Sequence, residues 1–581
     1  MLERIRTFFE RYLWEEGKLT AARYFAGLML SLLSGFVTGL AFPTTDLFPL
    51  AWLSIAPLIT LSFGISPLRT WGYAFLSGLS FWLSVAYWMH TFHPFALFTA
   101  IPALALYYSL PFLFAALWKK RIVRFSACTP LILIISWIGV EFFRSRGFLA
   151  FSWGVIGYSQ YRFLPIIQIA DIFSVYGVSA LILLVNCTLA LAVFNCRGIG
   201  LIDTKRFAGV TAFLLLLSLG YGGLRLLETG PEKGMRVAMV QGFTDPATDW
   251  RGWYRTWRTV GKIEMLSRIA AMREESFAPG FVSGLSHTGD PSMLPLLLRP
   301  PELVIWSETQ MARRAMAFYR NHSRLPAKQW EKLRVDPLAA VIRRQFELGK
   351  WFRRLPARLE QAILLTAPDR RFGKSYNSAF LVDSKGQLLD QFNKIKLVPF
   401  GEWFPYDISF IKKILASTIA SSFTPGSRFV VFDLNGKKFS AVICFEDIFG
   451  DICRMFVLGG ADFLINTTND YWSRSVKSQI QHFAISIFRA VENRRYLVRA
   501  ANTGVTSVVD AWGRVVATLE NNTIGILQGV VPLRGRSGLT FYTRYGDVFA
   551  AALMWMTVVV ILLLLLSLTA FKRLYRLDDA K

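Results

Sequence analysis

Cys444 closes the apolar, strand-like run Phe439-Ser440-Ala441-Val442-Ile443-Cys444 and is followed by Phe445, Glu446 and Asp447. A sharp turn at the mouth of such a strand would expose the sulfur as a nucleophile. A second apolar run, Leu303-Val304-Ile305-Trp306-Ser307-Glu308, ends on a carboxylate. A third, Asn393-Lys394-Ile395-Lys396-Leu397-Val398-Pro399-Phe400-Gly401-Glu402, sets an ammonium before a turn-rich loop that carries another carboxylate. A nucleophile, a base and a cation suffice for acyl transfer through a thioester. An unassisted thiol, with a pKa of about 8.5, is mostly neutral at pH 7. A carboxylate can take its proton, and a lysine can stabilise the oxyanion of a tetrahedral intermediate. Each residue also has an ordinary reading: a solvated turn glutamate, a small core cysteine, a solvated loop lysine.

The elements that must position these groups are legible in the surrounding texture. Strands are expected at Val237–Gln241, Leu303–Trp306, Ala362–Ala367, Ala379–Val382, Phe429–Asp433, Phe439–Cys444, Asp462–Asn466 and Leu497–Ala501. Helical spacing falls between them, around 258–273, 327–360, 446–458 and 474–495. This alternation predicts a layered α/β domain rather than an all-β one. The basic block 310–360 reads first as a solvated helical insertion, and second as a surface for phospholipid headgroups.

The ends of the chain have a different character. Crossing a bilayer takes about 20 apolar residues, and candidate spans lie at 24–42, 47–65, 70–90, 95–117, 129–145, 174–195, 207–226 and 548–571. The fifth is the weakest, because Glu141 and Arg144 interrupt its end. Positive residues concentrate before the first span (Arg4, Arg6, Arg11, Lys18), after the fourth (Lys119, Lys120, Arg121, Arg124), after the sixth (Arg197, Lys205, Arg206) and after the last (Lys572, Arg573, Arg576). The loops 43–46 and 91–94 carry no lysine or arginine, whereas the loop after the fifth span holds Arg146 and Arg162. Positive charge stays on the cytoplasmic side, so both termini are expected inside and the stretch between the last two spans outside. The expected organisation is a membrane domain at 1–227 with seven spans, a catalytic domain at 228–547, and a closing span with a cytoplasmic tail at 548–581. The first eighteen residues lack a short apolar core with a cleavage site, so no removable signal peptide is expected.

Charge and motif counts narrow the function further. A formal charge of +26 in a chain that is 53% hydrophobic suits an anionic membrane surface better than nucleic acid, for which no motif is present. Cys128, Cys187 and Cys196 fall in or beside apolar segments, and Cys444 and Cys453 flank one expected turn, so no disulfide framework is expected. The 5 histidines (His90, His93, His287, His322, His482) show no metal-ligand spacing. Gly373-Lys374-Ser375 lacks the earlier glycine of a phosphate-binding loop, because Pro368 holds that place. No metal or cofactor is called for.

Glu308, Lys394 and Cys444, in this order and local context, resemble the Glu-Lys-Cys triad of the nitrilase superfamily. Val240-Gln241-Gly242, Asn466-Thr467-Thr468-Asn469-Asp470 and Arg499-Ala500-Ala501-Asn502-Thr503-Gly504 resemble further strands of that fold. More narrowly, Leu397-Val398-Pro399-Phe400-Gly401-Glu402, Gly157-Tyr158-Ser159-Gln160 and Tyr542-Thr543-Arg544-Tyr545-Gly546-Asp547 resemble the apolipoprotein N-acyltransferase family, over nearly the whole chain. The resemblance implies about eight spans and an extracytoplasmic nitrilase-like αββα sandwich. It implies Cys444 as nucleophile, Glu308 as general base and Lys394 as oxyanion stabiliser. Glu402 and Glu446 match supporting acids, and Trp250 matches a tryptophan near the entrance. Phe445 departs from the tyrosine of many members, and the stretches Gln241–Glu308 and Glu308–Lys394 are longer than usual.

By the same resemblance the enzyme is a monomer in a bacterial inner membrane, its catalytic domain facing the periplasm. It takes an acyl chain from a phospholipid, phosphatidylethanolamine being the expected donor. The acceptor is the α-amino group of a diacylglyceryl-cysteine at the N-terminus of an apolipoprotein. Residues 404–423 read either as an amphipathic arm at the bilayer interface or as a core-packed helix, and burial of Phe410 and Ile414 would decide for the second. One rival function is a membrane-tethered amidase acting on small extracytoplasmic amides, which would need a small aqueous pocket. A second is a transporter or scaffold whose soluble domain does no chemistry.

Overall fold

The computed structural model describes residues 21–91, 95–122, 128–147, 150–195, 204–228, 234–244, 253–271, 300–308, 354–371, 373–399, 401–403, 423–534 and 538–578. Trp250, nearly all of the basic block 310–360 and residues 404–422 of the expected arm lie outside these. The chain forms two compact units, 1–228 with 545–581, and 229–544.

In the first unit, helices fall on all the apolar segments: α1 (Ala21–Leu40), α2 (Ala56–Gly64), α3 (Pro67–Ala86), α4 (Ala96–Arg121), α5 (Cys128–Arg144), α6 (Ala170–Asn195), α7 (Thr204–Leu226) and α11 (Val548–Asp578). Of these, α1, α4, α6, α7 and α11 are long and apolar enough to cross a membrane. The second expected segment is broken into a 3-10 turn, Phe48–Trp52, and α2, each opening with a proline in its first turn. The nine residues of α2 rise only about 14 Å. Asn186 of α6 satisfies the break: its Oδ1 accepts from the Ile55 and Ala56 amides at 3.0 and 2.9 Å, and its Nδ2 donates to the Ala51 carbonyl at 2.9 Å.

Small residues let these helices approach closely. The buried face of α1 is Gly27, Ser31, Ser34, Gly35, Thr38 and Gly39. A Cβ on Gly35 would sit 2.0 Å from the Ser77 carbonyl oxygen of α3, so only glycine fits there. The acids near the spans act as bridges between helices and loops. Asp171 accepts from Tyr221 Oη at 2.9 and 2.8 Å and pairs with Arg225 at 2.9 Å, joining α6 to α7. Glu141 accepts from Trp137 Nε1 and the Ile156 amide, both at 3.0 Å.

The second unit has twelve strands among its described residues, in two six-stranded sheets. The first runs β12-β1-β2-β3-β4-β5 and the second β11-β10-β9-β8-β7-β6. The strands are β1 (Gly234–Gln241), β2 (Leu303–Glu308), β3 (Ala362–Arg371), β4 (Lys374–Val382), β5 (Leu388–Asn393), β6 (Val431–Leu434), β7 (Lys437–Ile443), β8 (Phe463–Thr468), β9 (Leu497–Ala501), β10 (Thr506–Val509), β11 (Val515–Leu519) and β12 (Gly525–Pro532). Each sheet has a parallel trio, β1-β2-β3 and β7-β8-β9, flanked by antiparallel strands. The trios lie face to face, with β2 over β8 and β9. Helix α8 (Trp253–Ala271) covers the outer face of the first sheet, and α9 (Gly450–Leu458) and α10 (Val476–Asn493) cover that of the second. This is the nitrilase-like layering of helix, sheet, sheet and helix.

All eight expected strands are present, and β5, β10, β11 and β12 complete the sheets. The edge strand β11 buries only Ala517 of its five residues, so its alternation is faint. Gly373, with φ +77°, turns β3 into β4, which accounts for the Gly-Lys-Ser sequence there.

Candidate active site

Burial on both sides makes β2 and β7 near-continuous apolar runs, as parallel strands require. Both end at the same face-to-face region. Ile305 pairs with Leu364, but Glu308 pairs with Thr366; three residues on β2 therefore oppose two on β3. This bulge reverses the side of everything beyond it. Val304 and Trp306 pack into the core against the outer helices, and simple alternation would send Glu308 the same way. The bulge turns Glu308 inward instead, to the side of Thr366, whose hydroxyl lies 2.7 Å from that of Thr467 on the opposite sheet.

Cys444 follows β7 directly with φ +52°, a left-handed conformation that costs a non-glycine residue about 1 kcal/mol or more. The sharp turn expected of a nucleophile is therefore present. Its sulfur is not open to bulk solvent, however: Cys444, Glu308 and Lys394 expose 3%, 8% and 1% of their surface. The turn is fixed on both sides. Asn466 Nδ2 donates to the Cys444 carbonyl at 3.0 Å, and Glu446 Oε2 accepts from the Ile443 amide at 2.9 Å. The other oxygen of Glu446 accepts from the Ile395 and Lys396 amides at 2.6 and 3.0 Å. One carboxylate thus ties the lysine loop to the nucleophile turn, and burial pushes its pKa up to about 7.

The Cys444 thiol adjoins the Glu308 carboxylate. Glu308 Oε1 accepts from Asn377 Nδ2 at 2.8 Å, and the same nitrogen donates to Glu402 Oε1 at 3.0 Å. Lys394 Nζ donates to Glu402 Oε1 at 2.9 Å, with Oε2 at 2.8 Å. Glu402 Oε2 also accepts from the Val398 amide at 2.8 Å, which closes the turn-rich loop over the lysine. Burial, and then the charge of Glu308, hold the thiol well above its usual range, against the pull of Lys394. Burial also raises Glu308. For Lys394 burial acts downward, but Glu402, Cys444 and Glu308 outweigh it and keep the group an ammonium. The resting state is therefore a neutral thiol beside a carboxylate, with a fixed cation close by.

The sequence likenesses agree with this geometry at both ends of the chain. Residues 34–188 match the family described as apolipoprotein N-acyltransferase N-terminal domain, and residues 236–536 match carbon-nitrogen hydrolase. The apolipoprotein N-acyltransferase of Geobacter metallireducens is 32% identical over 538 residues, 90% of this chain and 92% of that one. This chain belongs to the apolipoprotein N-acyltransferase family. Apolipoprotein N-acyltransferase 1 of Treponema pallidum is likewise 32% identical, over 77% of this chain and 78% of that one. An amidase from Nesterenkonia sp. covers 53% of this chain at 16% identity, with a TM-score of 0.32, too low to bear on the activity.

The structure brings Glu308, Lys394, Cys444, Glu402 and Glu446 together. Phe445, beside the thiol and buried, packs edge-on against Phe449 at 5.2 Å. Two of the family-like motifs act as joints. In the first unit Gln160 accepts from Trp52 Nε1 at 2.9 Å and donates to the Phe48 carbonyl at 3.0 Å. In the second, Thr543 and Tyr542 are buried, and Thr543 Oγ1 donates to Asn493 at the end of α10 at 3.0 Å. Sequence reasoning missed Asn377, which holds both site carboxylates, and the buried group Asp447, Asp470, His482 and Arg499. Asn377 lies in β4 with no local pattern to mark it. His482 carried a signal, since it shares a helix face with Ser478, Gln479, Ser486 and Arg489, but its partners come from three other elements.

Proposed function

We propose that this chain transfers a fatty acyl chain from a phospholipid to the α-amino group of an apolipoprotein's N-terminal diacylglyceryl-cysteine, with Cys444 carrying the chain between them. The observation that carries the residue roles is the buried Cys444 thiol adjoining the Glu308 carboxylate and the Lys394 ammonium. The substrates are a lipid and a lipoprotein in a membrane, and phosphatidylethanolamine is the proposed donor.

In the first half-reaction Glu308 takes the thiol proton as the sulfur attacks the ester carbonyl. Concerted transfer suits a thiol that burial keeps protonated. The oxyanion forms beside Lys394, which is already desolvated and needs no reorganisation. The carbon–oxygen bond then breaks, Glu308 returns the proton to the departing alkoxide, and a lysophospholipid leaves a thioester on Cys444. In the second half the acceptor amine attacks that thioester. A free α-amino group titrates near about 8, so a sizeable neutral fraction is present at pH 7. Glu308 takes the proton lost from nitrogen, the carbon–sulfur bond breaks, and the thiolate recovers a proton as the amide is released.

Asn377 holds Glu308 in place, Glu402 orients Lys394, and Glu446 sets the distance between the lysine loop and the nucleophile turn. The proposed topology is eight spans, the broken segment Phe48–Gly64 counted as one of them, with both termini cytoplasmic and residues 228–547 outside, supported by the alternation of lysine and arginine between loops. The active form is proposed to be a monomer. Likeness to apolipoprotein N-acyltransferases over 90% of the chain favours this function over a tethered amidase.

The test is incubation of the purified protein with defined phospholipids, followed by intact-mass measurement. An acyl adduct on Cys444 that a diacylglyceryl peptide discharges much faster than water supports the reading. An adduct that water removes as fast as the peptide would make the enzyme a hydrolase.

A further inference from the structure

Behind the nucleophile turn lies a charged group that the proposed chemistry does not use. His482 of α10 exposes 1% of its side chain, and Asp447, Asp470 and Arg499 expose no more. His482 Nε2 lies 2.6 Å from Asp447 Oδ1, and Nδ1 lies 2.8 Å from Asp470 Oδ1. A carboxylate oxygen only accepts, and an imidazolium, with both ring nitrogens donating, satisfies both contacts. Arg499 donates to the remaining oxygens, from Nη1 to Asp447 Oδ2 at 2.6 Å and from Nη2 to Asp470 Oδ2 at 2.8 Å. Two cations and two anions thus balance inside the protein. These three residues, from the nucleophile turn, the segment after β8 and β9, are the charged groups that face the histidine. Arg499 Nη2 stands 3.0 Å from Nδ1, a like-charged neighbour held there by their shared partner Asp470.

The group reaches Cys444 by three routes. Asp447 sits on the same turn, three residues on. Thr468 Oγ1 donates to Asp470 Oδ1 at 3.0 Å, and its side chain lies beside the Cys444 thiol. Arg499 Nη1 donates to Asn466 Oδ1 at 3.1 Å, and Asn466 in turn holds the Cys444 carbonyl. A closed ring therefore runs from the sulfur through Thr468, Asp470, His482 and Asp447 back to the turn.

We infer that His482 is a positioning residue for acyl transfer: as an imidazolium clamped between Asp447 and Asp470, it holds the strained Cys444 turn and, through Asp470, keeps Thr468 in place beside the sulfur. Loss of its proton leaves one uncompensated negative charge beside a thiol whose ionisation Asp470 already opposes. It also turns one N–H···carboxylate contact into a repulsion between lone pairs. The imidazolium is favoured up to a pKa of about 9, because Asp447 and Asp470 outweigh burial and the opposing charge of Arg499. The inference rests on Cys444 being the nucleophile.

The experiment measures the rate of thioester formation by full-length protein in phospholipid micelles, from pH 6 to 10, for wild type, His482→Gln, Thr468→Val and Cys444→Ser. His482→Gln should slow acylation on the order of 10- to 100-fold, leave the half-saturating lipid concentration unchanged, and lose the alkaline fall that wild type shows near pH 9. Thr468→Val, which keeps the charges, should slow acylation roughly 10-fold and retain that fall. A wild-type rate and pH profile in His482→Gln would overturn the inference. Should His482→Gln fail to fold by circular dichroism, a wild-type rate in Thr468→Val overturns it instead. An adduct that persists in Cys444→Ser would show that the site reading itself has failed.

Discussion

The two units place their polar groups by opposite rules. In the helical unit only 17% of the α7 apolar window and 22% of that of α11 is buried, so leucine, phenylalanine and valine face outward. The inner faces hold Ser34, Thr38, Asn186, Asp171 and Glu141, each closing a hydrogen bond between segments. The sheet unit buries its apolar residues and also buries a dense group of charges around Cys444. A surface surrounded by hydrocarbon gains nothing from apolar burial, so helix association depends on close approach and interior hydrogen bonds. A unit surrounded by water is held by its apolar core. That stability can offset a desolvated nucleophile, its base and a buried ion group. Removing a polar group should accordingly cost function in one unit and assembly in the other.

Cys444→Ser should separate the two costs most sharply. We expect acyl-enzyme formation to fall by at least about 1000-fold, with the unfolding midpoint shifted little, since a hydroxyl replaces a thiol of nearly the same volume. Intact mass and chemical denaturation read the two quantities. A large loss of stability would mean that the turn depends on sulfur packing rather than on Asn466 and Glu446.

Lys394→Met should damage both. It leaves Glu402 and Glu308 buried without their cation, a loss of about 3–5 kcal/mol, and removes the oxyanion partner. Denaturant unfolding of the full chain in detergent should show the first, and single-turnover acylation the second.

The pH dependence of stability tests the buried charges directly. His482 is held at about 9 against an ordinary 6.5. Its bound proton therefore contributes stability that is fully present below pH 6.5 and is lost as pH rises through 9, about 3 kcal/mol in all. Glu446, pushed up to about 7 from 4.5, acts in the same direction between those values, because its charged form is the one that burial penalises. Unfolding midpoints should fall from pH 5 to 9.5, and His482→Gln should flatten the portion above pH 6.5.

The helical unit should respond to smaller changes of shape and polarity. Gly35→Leu must push α1 away from the Ser77 carbonyl, at a cost of about 1–3 kcal/mol. Asn186→Leu strips the Ile55 and Ala56 amides of their acceptor, for about 0.6–1.7 kcal/mol. Thermal aggregation in detergent should register both, with residual acylation per folded molecule unchanged. A selective loss of acylation in either would break the proposed division between the units.

The sequence alone determined what depends on neighbours along the chain. Apolar length marked the helices of the first unit, although Pro49 and Pro57 break the second segment, and Asn186, which heals that break, is 130 residues away. Period-two runs ending on Glu308 and Cys444 marked the strands that carry the chemistry, and the order of Glu308, Lys394 and Cys444 marked the family. The tertiary structure decided which way those residues face. Glu308 points at the thiol because a bulge of one residue against β3 reverses it, and register belongs to a pair of strands rather than to one. Sequence also left His482 an ordinary helix residue. Its charge follows from two carboxylates on other elements, because Coulomb energy in a buried site depends on separations of 2.6–2.8 Å that only folding brings about.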